Sequence, residues 1–266
     1  MPAVYTHYMI ARETLLRLPQ NIQDTISHFL PLYFFGAQGA DFCFFYRRLN
    51  ANGKNLGSFL HRNKVYEAFS VIQLFSAHNP MLNAYALGFI THYAADTTFH
   101  PYVYELSGNS PLQHTRVENT LDGYFKSNEK SFDTFAEYFT QKPSAKEREE
   151  LFFLYSSIAA KCGFPTLIKS TFFQAISLFN AYLPYPYAIF SKNNRRFLDT
   201  VINKEKRTWR YPAAPTIQSN DNAYELLERS IYAATVYIQE FSNAVARNTP
   251  LPRNSFSKNY LTGISP

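Results

Sequence analysis

The chain has two cysteines, nine glycines, one tryptophan and three methionines among 266 residues. Cys43 and Cys162 alone cannot build the disulfide framework of a small secreted scaffold, and both read as buried free thiols. So few glycines, with 15 prolines spread along the chain, exclude collagen-like and low-complexity sequence. Charge is also sparse: Asp, Glu, Lys and Arg together make 17%. Disorder needs the opposite balance, and the 20 Tyr and 25 Phe supply ring surface for a large core. No apolar run reaches the ~20 residues of a membrane span. The most apolar stretch, Phe29 to Tyr46, is broken by Pro31, Gly36, Gly39 and Asp41. Arg12, Glu13 and Arg17 fall where a signal peptide needs its apolar region, so the sequence as given reads as cytoplasmic.

The net charge of +6 is concentrated. From Ser191 to Arg210 stand Lys192, Arg195, Arg196, Lys204, Lys206, Arg207 and Arg210 against Asp199 and Glu205. Such a run is either a solvated helix face or the footprint of an anionic surface met peripherally. No aromatic RNA-binding signature accompanies it, so a nucleic-acid partner is not expected.

Helical spacing dominates the rest. In Ala223–Arg247, Leu226, Leu227, Ile231, Ala234, Tyr237, Ile238, Phe241 and Val245 recur mostly at steps of three and four. Ser219, Asn220 and Asp221 precede this segment, and Asn248 with Pro250 stops it. Ser144–Ala160 carries Glu147, Glu149 and Glu150 in its early turns, where they favour the helix dipole. Further helices are expected at Thr6–Leu18, Asn21–Phe29, Asn63–Ser76, Met81–Phe99, Pro111–Lys126, Phe132–Phe139 and Leu167–Ala181. Pro184 and Pro186 make Tyr182–Tyr187 a turn. Strand-like alternation is scarce. The expected fold is all-α, one domain over 1–266 with about eight to ten helices and a loose C-terminal tail from about 248.

Chemistry enters through the histidines. His92, Asp96 and His100 stand at i, i+4 and i+8, so all three point to one side of a helix. His92 and His100 are ~12 Å apart along the axis, too far for one ion, whereas Asp96 can bridge two sites or share one with His92. His114 and Glu118, again four apart, form a second chelating pair, with His100 as a natural third ligand. Imidazole and carboxylate suit zinc best, with iron or manganese open on ligand type alone. One such pair is as well explained by an ordinary helix surface. Three steps within 27 residues point to metal. Asp41 stands alone among aromatic residues, where a carboxylate must face solvent, cap a helix or hold a cation. Gly36 and Gly39 imply a turn that presents it.

Taken together these residues resemble the zinc-dependent phospholipase C family of bacteria. The resemblance rests on Tyr-Thr-His-Tyr around His7, Gly-Ala-Gln-Gly-Ala-Asp at Asp41 and Phe-Leu-His at His61. It continues through Gly-Phe-Ile-Thr-His-Tyr-Ala-Ala-Asp-Thr-Thr-Phe-His-Pro and His-Thr-Arg-Val-Glu. It runs in order from His7 to Glu118 and places five of the seven histidines on ligand positions. His28 and His78 are left as ordinary surface histidines. Members of the family are all-helical, with a trinuclear zinc site and a fold similar to single-strand-specific fungal and plant nucleases. The resemblance implies one zinc on Asp41, His61, His92 and Asp96. It implies a second on His100, His114 and Glu118, and a third shared by His7, Asp96 and the amino terminus, two to three Zn2+ per chain. Secreted members complete the third site with an N-terminal tryptophan. Here the sequence starts Met1-Pro2-Ala3, which implies a weaker third site or one completed by the Met1 or Pro2 amine. The clostridial toxins' C-terminal β-sandwich is not expected.

The implied activity is hydrolysis of a phospholipid-type phosphodiester by metal-activated water, with Asp41 as the candidate to orient or deprotonate that water. Phe42 and Phe44–Phe45–Tyr46 either line an apolar approach or pack in the core. Two other readings stand beside it. One is a phosphodiesterase or nuclease on soluble or single-stranded nucleic-acid substrates, against which Glu118, four residues beyond His114, speaks. The other is a non-catalytic zinc-binding module.

Overall fold

Periodicity and end signals account for most of the architecture. The computed structural model describes residues 4–129, 135–139, 141–183 and 195–265. The first half carries α1 (Val4–Arg17), α2 (Gln20–Ser27), α3 (Leu30–Gly36), a 3-10 turn (Asp41–Phe45), α4 (Leu56–Leu60) and α5 (Val65–Ser76). The long α6 (Pro80–Ser107) follows, then α7 (Pro111–Asn128), α8 (Ala136–Phe139), α9 (Ala145–Cys162) and α10 (Lys169–Tyr182). After α11 (Arg195–Ile202) come β1 (Trp209–Tyr211) and β2 (Ala214–Ser219), α12 (Ala223–Arg247) and α13 (Arg253–Phe256). The protein is all-α apart from this small hairpin, and no β-sandwich follows it among the described residues. No helix of the described residues is long and apolar enough to cross a membrane.

Two helix starts show how sequence becomes structure. Ser144 and Glu147 close a capping box at α9, the Ser144 amide donating to Glu147 (2.6 Å) and the Glu147 amide to Ser144 Oγ (3.3 Å). Asn222 and Glu225 do the same for α12, and Asn248 in the left-handed conformation ends it where the sequence predicts. The apolar stripe of α12 lies along α6, which also meets α1, α3, α5 and α7. Gly88 lets α3 come close: a Cβ there would stand 1.9 Å from the Tyr33 carbonyl oxygen.

Three expectations need correcting. α6 does not stop at Phe99 but runs through Pro101 to Ser107. Pro101 withdraws one amide from the helix, yet Tyr102 and Val103 beyond it are 2% and 1% exposed and pull the chain into the core. The basic segment is not one helix face: α11 ends at Ile202, and Trp209 pairs with Ser219 in the antiparallel hairpin. Lys204 and Lys206 within it pair with Asp199 and Glu225. The chain beyond 248 is not a loose tail, since Leu251, Ser255, Phe256 and Tyr260 are all buried. The Pro184–Pro186 turn and the start of the expected Phe132–Phe139 helix lie outside the described residues, as do residues 191–194 of the basic run. Cys43 and Cys162 are free and buried, as expected.

Candidate metal centre

The i, i+4, i+8 spacing on α6 points His92, Asp96 and His100 to one side, and all three are buried. Asp96 is the hub. Its Oδ1 lies 3.3 Å from His7 Nε2 of α1. Its Oδ2 lies 3.5 Å from His61 Nε2, 3.4 Å from His92 Nε2 and 3.6 Å from His100 Nδ1. Asp41 joins the same group, with Oδ1 3.1 Å from His61 Nε2 and Oδ2 3.8 Å from His92 Nδ1. On α7, Glu118 Oε1 lies 3.0 Å from His114 Nε2 and 3.4 Å from His100 Nε2. The structure therefore brings all eight sequence-selected residues into two adjoining clusters. His28 and His78 lie exposed elsewhere.

Asp41 reaches the centre through a turn that requires glycine. α3 ends at Gly36, and Gly39 turns the chain at φ +56°. A Cβ at Gly39 would fall 2.0 Å from the His92 ring, so no other residue fits. Asp41 opens the 3-10 turn without its side chain capping it; the carboxylate faces the histidines instead.

These donors suit zinc on three counts. His61 Nε2, His92 Nε2 and Asp96 Oδ2 lie 3.4 to 3.5 Å apart. A tetrahedral ion with bonds of about 2.0–2.1 Å sets its ligand atoms roughly 3.3–3.4 Å apart. Next, His61 Nδ1 donates to the Gly57 carbonyl (2.8 Å) and His100 Nδ1 to the Tyr260 carbonyl (3.0 Å). Each bond fixes the tautomer and leaves Nε2 facing the cluster as a lone-pair donor. Finally, Asp41 Oδ2 is buried without a hydrogen-bond partner among the described residues. Such an atom costs about 1–3 kcal/mol, which a cation drawn to the carboxylate offsets. The groups that could hold an ion are His7–Asp41–His92, His61–His92–Asp96 and His100–His114–Glu118.

Electrostatics follow from burial against charge. Burial pushes His92 down to about 4, although Asp96 and Asp41 pull the other way. Burial also opposes charge on His100, but Asp96 and Glu118 outweigh it and push that imidazole up to about 9. Burial would raise Asp96, yet the surrounding imidazoles, His100 and His92 foremost, hold its carboxyl well below the usual range.

Two supporting residues escape sequence reasoning. Asp122 is fully buried on α7 and accepts from the Tyr5 amide (2.9 Å), the Thr6 amide (2.8 Å) and Thr6 Oγ1 (2.7 Å). It thus satisfies the free first-turn donors of α1, one residue before His7. Its signal was available, because His114, Glu118 and Asp122 repeat the i, i+4, i+8 pattern of α6. Tyr260 is the other. Besides its carbonyl bond to His100, its ring lies 5.0 Å from that of His61 and 5.9 Å from that of His92. Nothing in the sequence marks it.

Both clusters open on one cavity of about 630 Å3, lined by Asp41, His61, Asp96, His100, His114 and Glu118 at its base. No curated protein and no solved structure matches the chain. The pattern that defines the family described as zinc dependent phospholipase C does match, over residues 6–164. That span covers more than half of the sequence and takes in all eight clustered residues, with Tyr260 beyond it. A family whose members depend on zinc thus meets a donor set of the right kind, and this chain belongs to the zinc-dependent phospholipase C family.

Proposed function

We propose that the protein hydrolyses a phospholipid-type phosphodiester, using two to three Zn2+ per chain. Asp41, His61, His92 and Asp96 would hold one ion, and His100, His114 and Glu118 a second. His7 and Asp96 would share a third with the amino terminus. The observation that carries this reading is the pair of buried donor clusters opening side by side on one cavity. Bound zinc supplies Lewis acidity, which brings a water's pKa towards neutrality and offsets charge on phosphoryl oxygens.

The chain's own residues do the rest. Asp41 is the base: its carboxylate lines the cavity beside His61, with Oδ1 3.1 Å from Nε2, so it can orient the attacking water and accept its proton. Asp96 ties the two clusters together through four imidazoles. The carbonyls of Gly57 and Tyr260 hold His61 and His100 in one tautomer, so the site needs little reorganisation. Phe42 packs in the core, fully buried, while Phe44 lines the cavity and offers apolar surface to a lipid. Exposed Arg195, Arg196, Arg207 and Arg210 are the described part of the basic run left to meet an anionic surface.

The test is zinc analysis with a parallel panel of phosphatidylcholine, bis-p-nitrophenyl phosphate and single-stranded DNA. Zinc-dependent turnover of a phosphodiester other than DNA supports the proposal. Cleavage of DNA alone selects the nuclease reading, and tight zinc with no turnover selects the non-catalytic module.

A further inference from the structure

Above the donor clusters the cavity wall carries Ser58, Arg62, Tyr104, Asn109, Ser110 and Thr115. Arg62 follows His61 directly, and it is the one Lys or Arg among the cavity-lining residues. No carboxylate pairs with it among the described residues, and the half-buried Tyr104 shares its stretch of wall. The cavity's three carboxylates, Asp41, Asp96 and Glu118, are already engaged by imidazoles at 3.0 to 3.6 Å. The two aromatic rings on the wall each lie against an imidazole. Phe44 lies 5.0 Å from the His61 ring, and Tyr104 lies 4.7 Å from the His114 ring.

A quaternary ammonium headgroup needs a carboxylate or a set of free aromatic faces. This wall offers it a guanidinium and a row of hydroxyl and amide groups. We infer that the cavity selects a headgroup that carries hydroxyls and no positive charge, of the phosphoglycerol type, and that Arg62 is the residue that sets this preference. The inference rests on the phosphodiesterase reading of the same site and adds its substrate class. A guanidinium donates in a planar fork to phosphate or vicinal hydroxyl oxygens, and its fixed charge repels choline. Thr115, on the first turns of α7, stands on the same wall to accept or donate to further hydroxyls, and so does Ser110, the N-cap, whose Oγ also accepts from the Gln113 amide (3.3 Å).

The experiment compares glycerol 1-phosphate with phosphocholine by calorimetric titration, with phosphatidylglycerol and phosphatidylcholine turnover in parallel. Wild type, Arg62→Gln and Arg62→Glu are used, each zinc-loaded and checked for folding by thermal melting. Arg62 is exposed, so these variants should fold. Wild type should bind glycerol 1-phosphate more tightly than phosphocholine by about tenfold, the effect of one charge-assisted hydrogen bond. Arg62→Gln should remove that preference, chiefly through Kd and KM, and Arg62→Glu should reverse it. Equal or tighter phosphocholine binding by wild type, or an unchanged ratio in both variants, overturns the inference. Bis-p-nitrophenyl phosphate keeps the two readings apart. Turnover of it with phosphocholine preferred leaves the hydrolase and removes the headgroup selection. No turnover of any diester with the glycerol phosphate preference intact does the reverse.

Discussion

Asp96→Asn is the sharpest single perturbation of the centre. The carboxylate stands 3.3 to 3.6 Å from four imidazole nitrogens, of His7, His61, His92 and His100. Asparagine keeps its size and shape but removes the one negative charge those rings share, and puts an amide donor where a cation would sit. Breaking a buried charge pair costs about 3–5 kcal/mol. At about 1.4 kcal/mol per factor of ten, zinc binding should weaken by roughly two to three and a half orders of magnitude. The helices should persist, because Asp96 lies mid-helix and satisfies no backbone group of α6. The assay is a chelator competition titration with zinc content read by elemental analysis, alongside far-ultraviolet circular dichroism and diester turnover. His28→Ala, at an exposed position after α2, is the control and should change nothing. An Asp96→Asn protein with full zinc content, wild-type affinity and wild-type turnover would refute the bridge and with it the two-cluster assignment.

Purified protein should carry at least two zinc ions per chain, and mild chelation should release any third one first; three ions leaving together would contradict this. Asp122→Ala leaves the Tyr5 and Thr6 donors without their acceptor and should lower stability by about 2–3 kcal/mol, loosening the third site before the other two. An unchanged melting temperature with unchanged third-site affinity would count against that role. Tyr260→Ala removes a buried ring beside His61 and His92 and should cost about 3–5 kcal/mol while making zinc easier to strip; zinc as hard to strip as in wild type would show the ring to be mere filling. With its pKa pushed up to about 11 by burial, Cys162 holds roughly one thiolate per thousand at pH 8, against about one in four for an ordinary thiol. Since thiolate grows as pH rises, iodoacetamide should label Cys162 only above about pH 10 or after unfolding.

The parts legible in advance are those whose information is local. The bounds of α12 were readable from its apolar stripe and the Asn248 stop, although the box that caps its start is Asn222 with Glu225 and not the Ser219–Asp221 run just before it. The α6 histidines were readable because fourfold spacing is itself geometry. What stayed hidden depends on distant partners. Pro101 is a stop signal in isolation, and only the packing beyond it keeps the helix going. Strand β2 shows no alternation, since its side chains are nearly all solvent-facing. Tyr260 looks like one of 20 tyrosines until the fold sets it 160 positions away from its partner on α6.

That last contact bears on how the protein comes into being. All eight donors are synthesised within the first 118 of 266 residues, while the carbonyl that orients His100 belongs to residue 260. Its ring also lies against those of His61 and His92, so both donor groups take part of their surroundings from that one late residue. The surroundings of the donor clusters are complete only once residues 255–260 have docked beside α6.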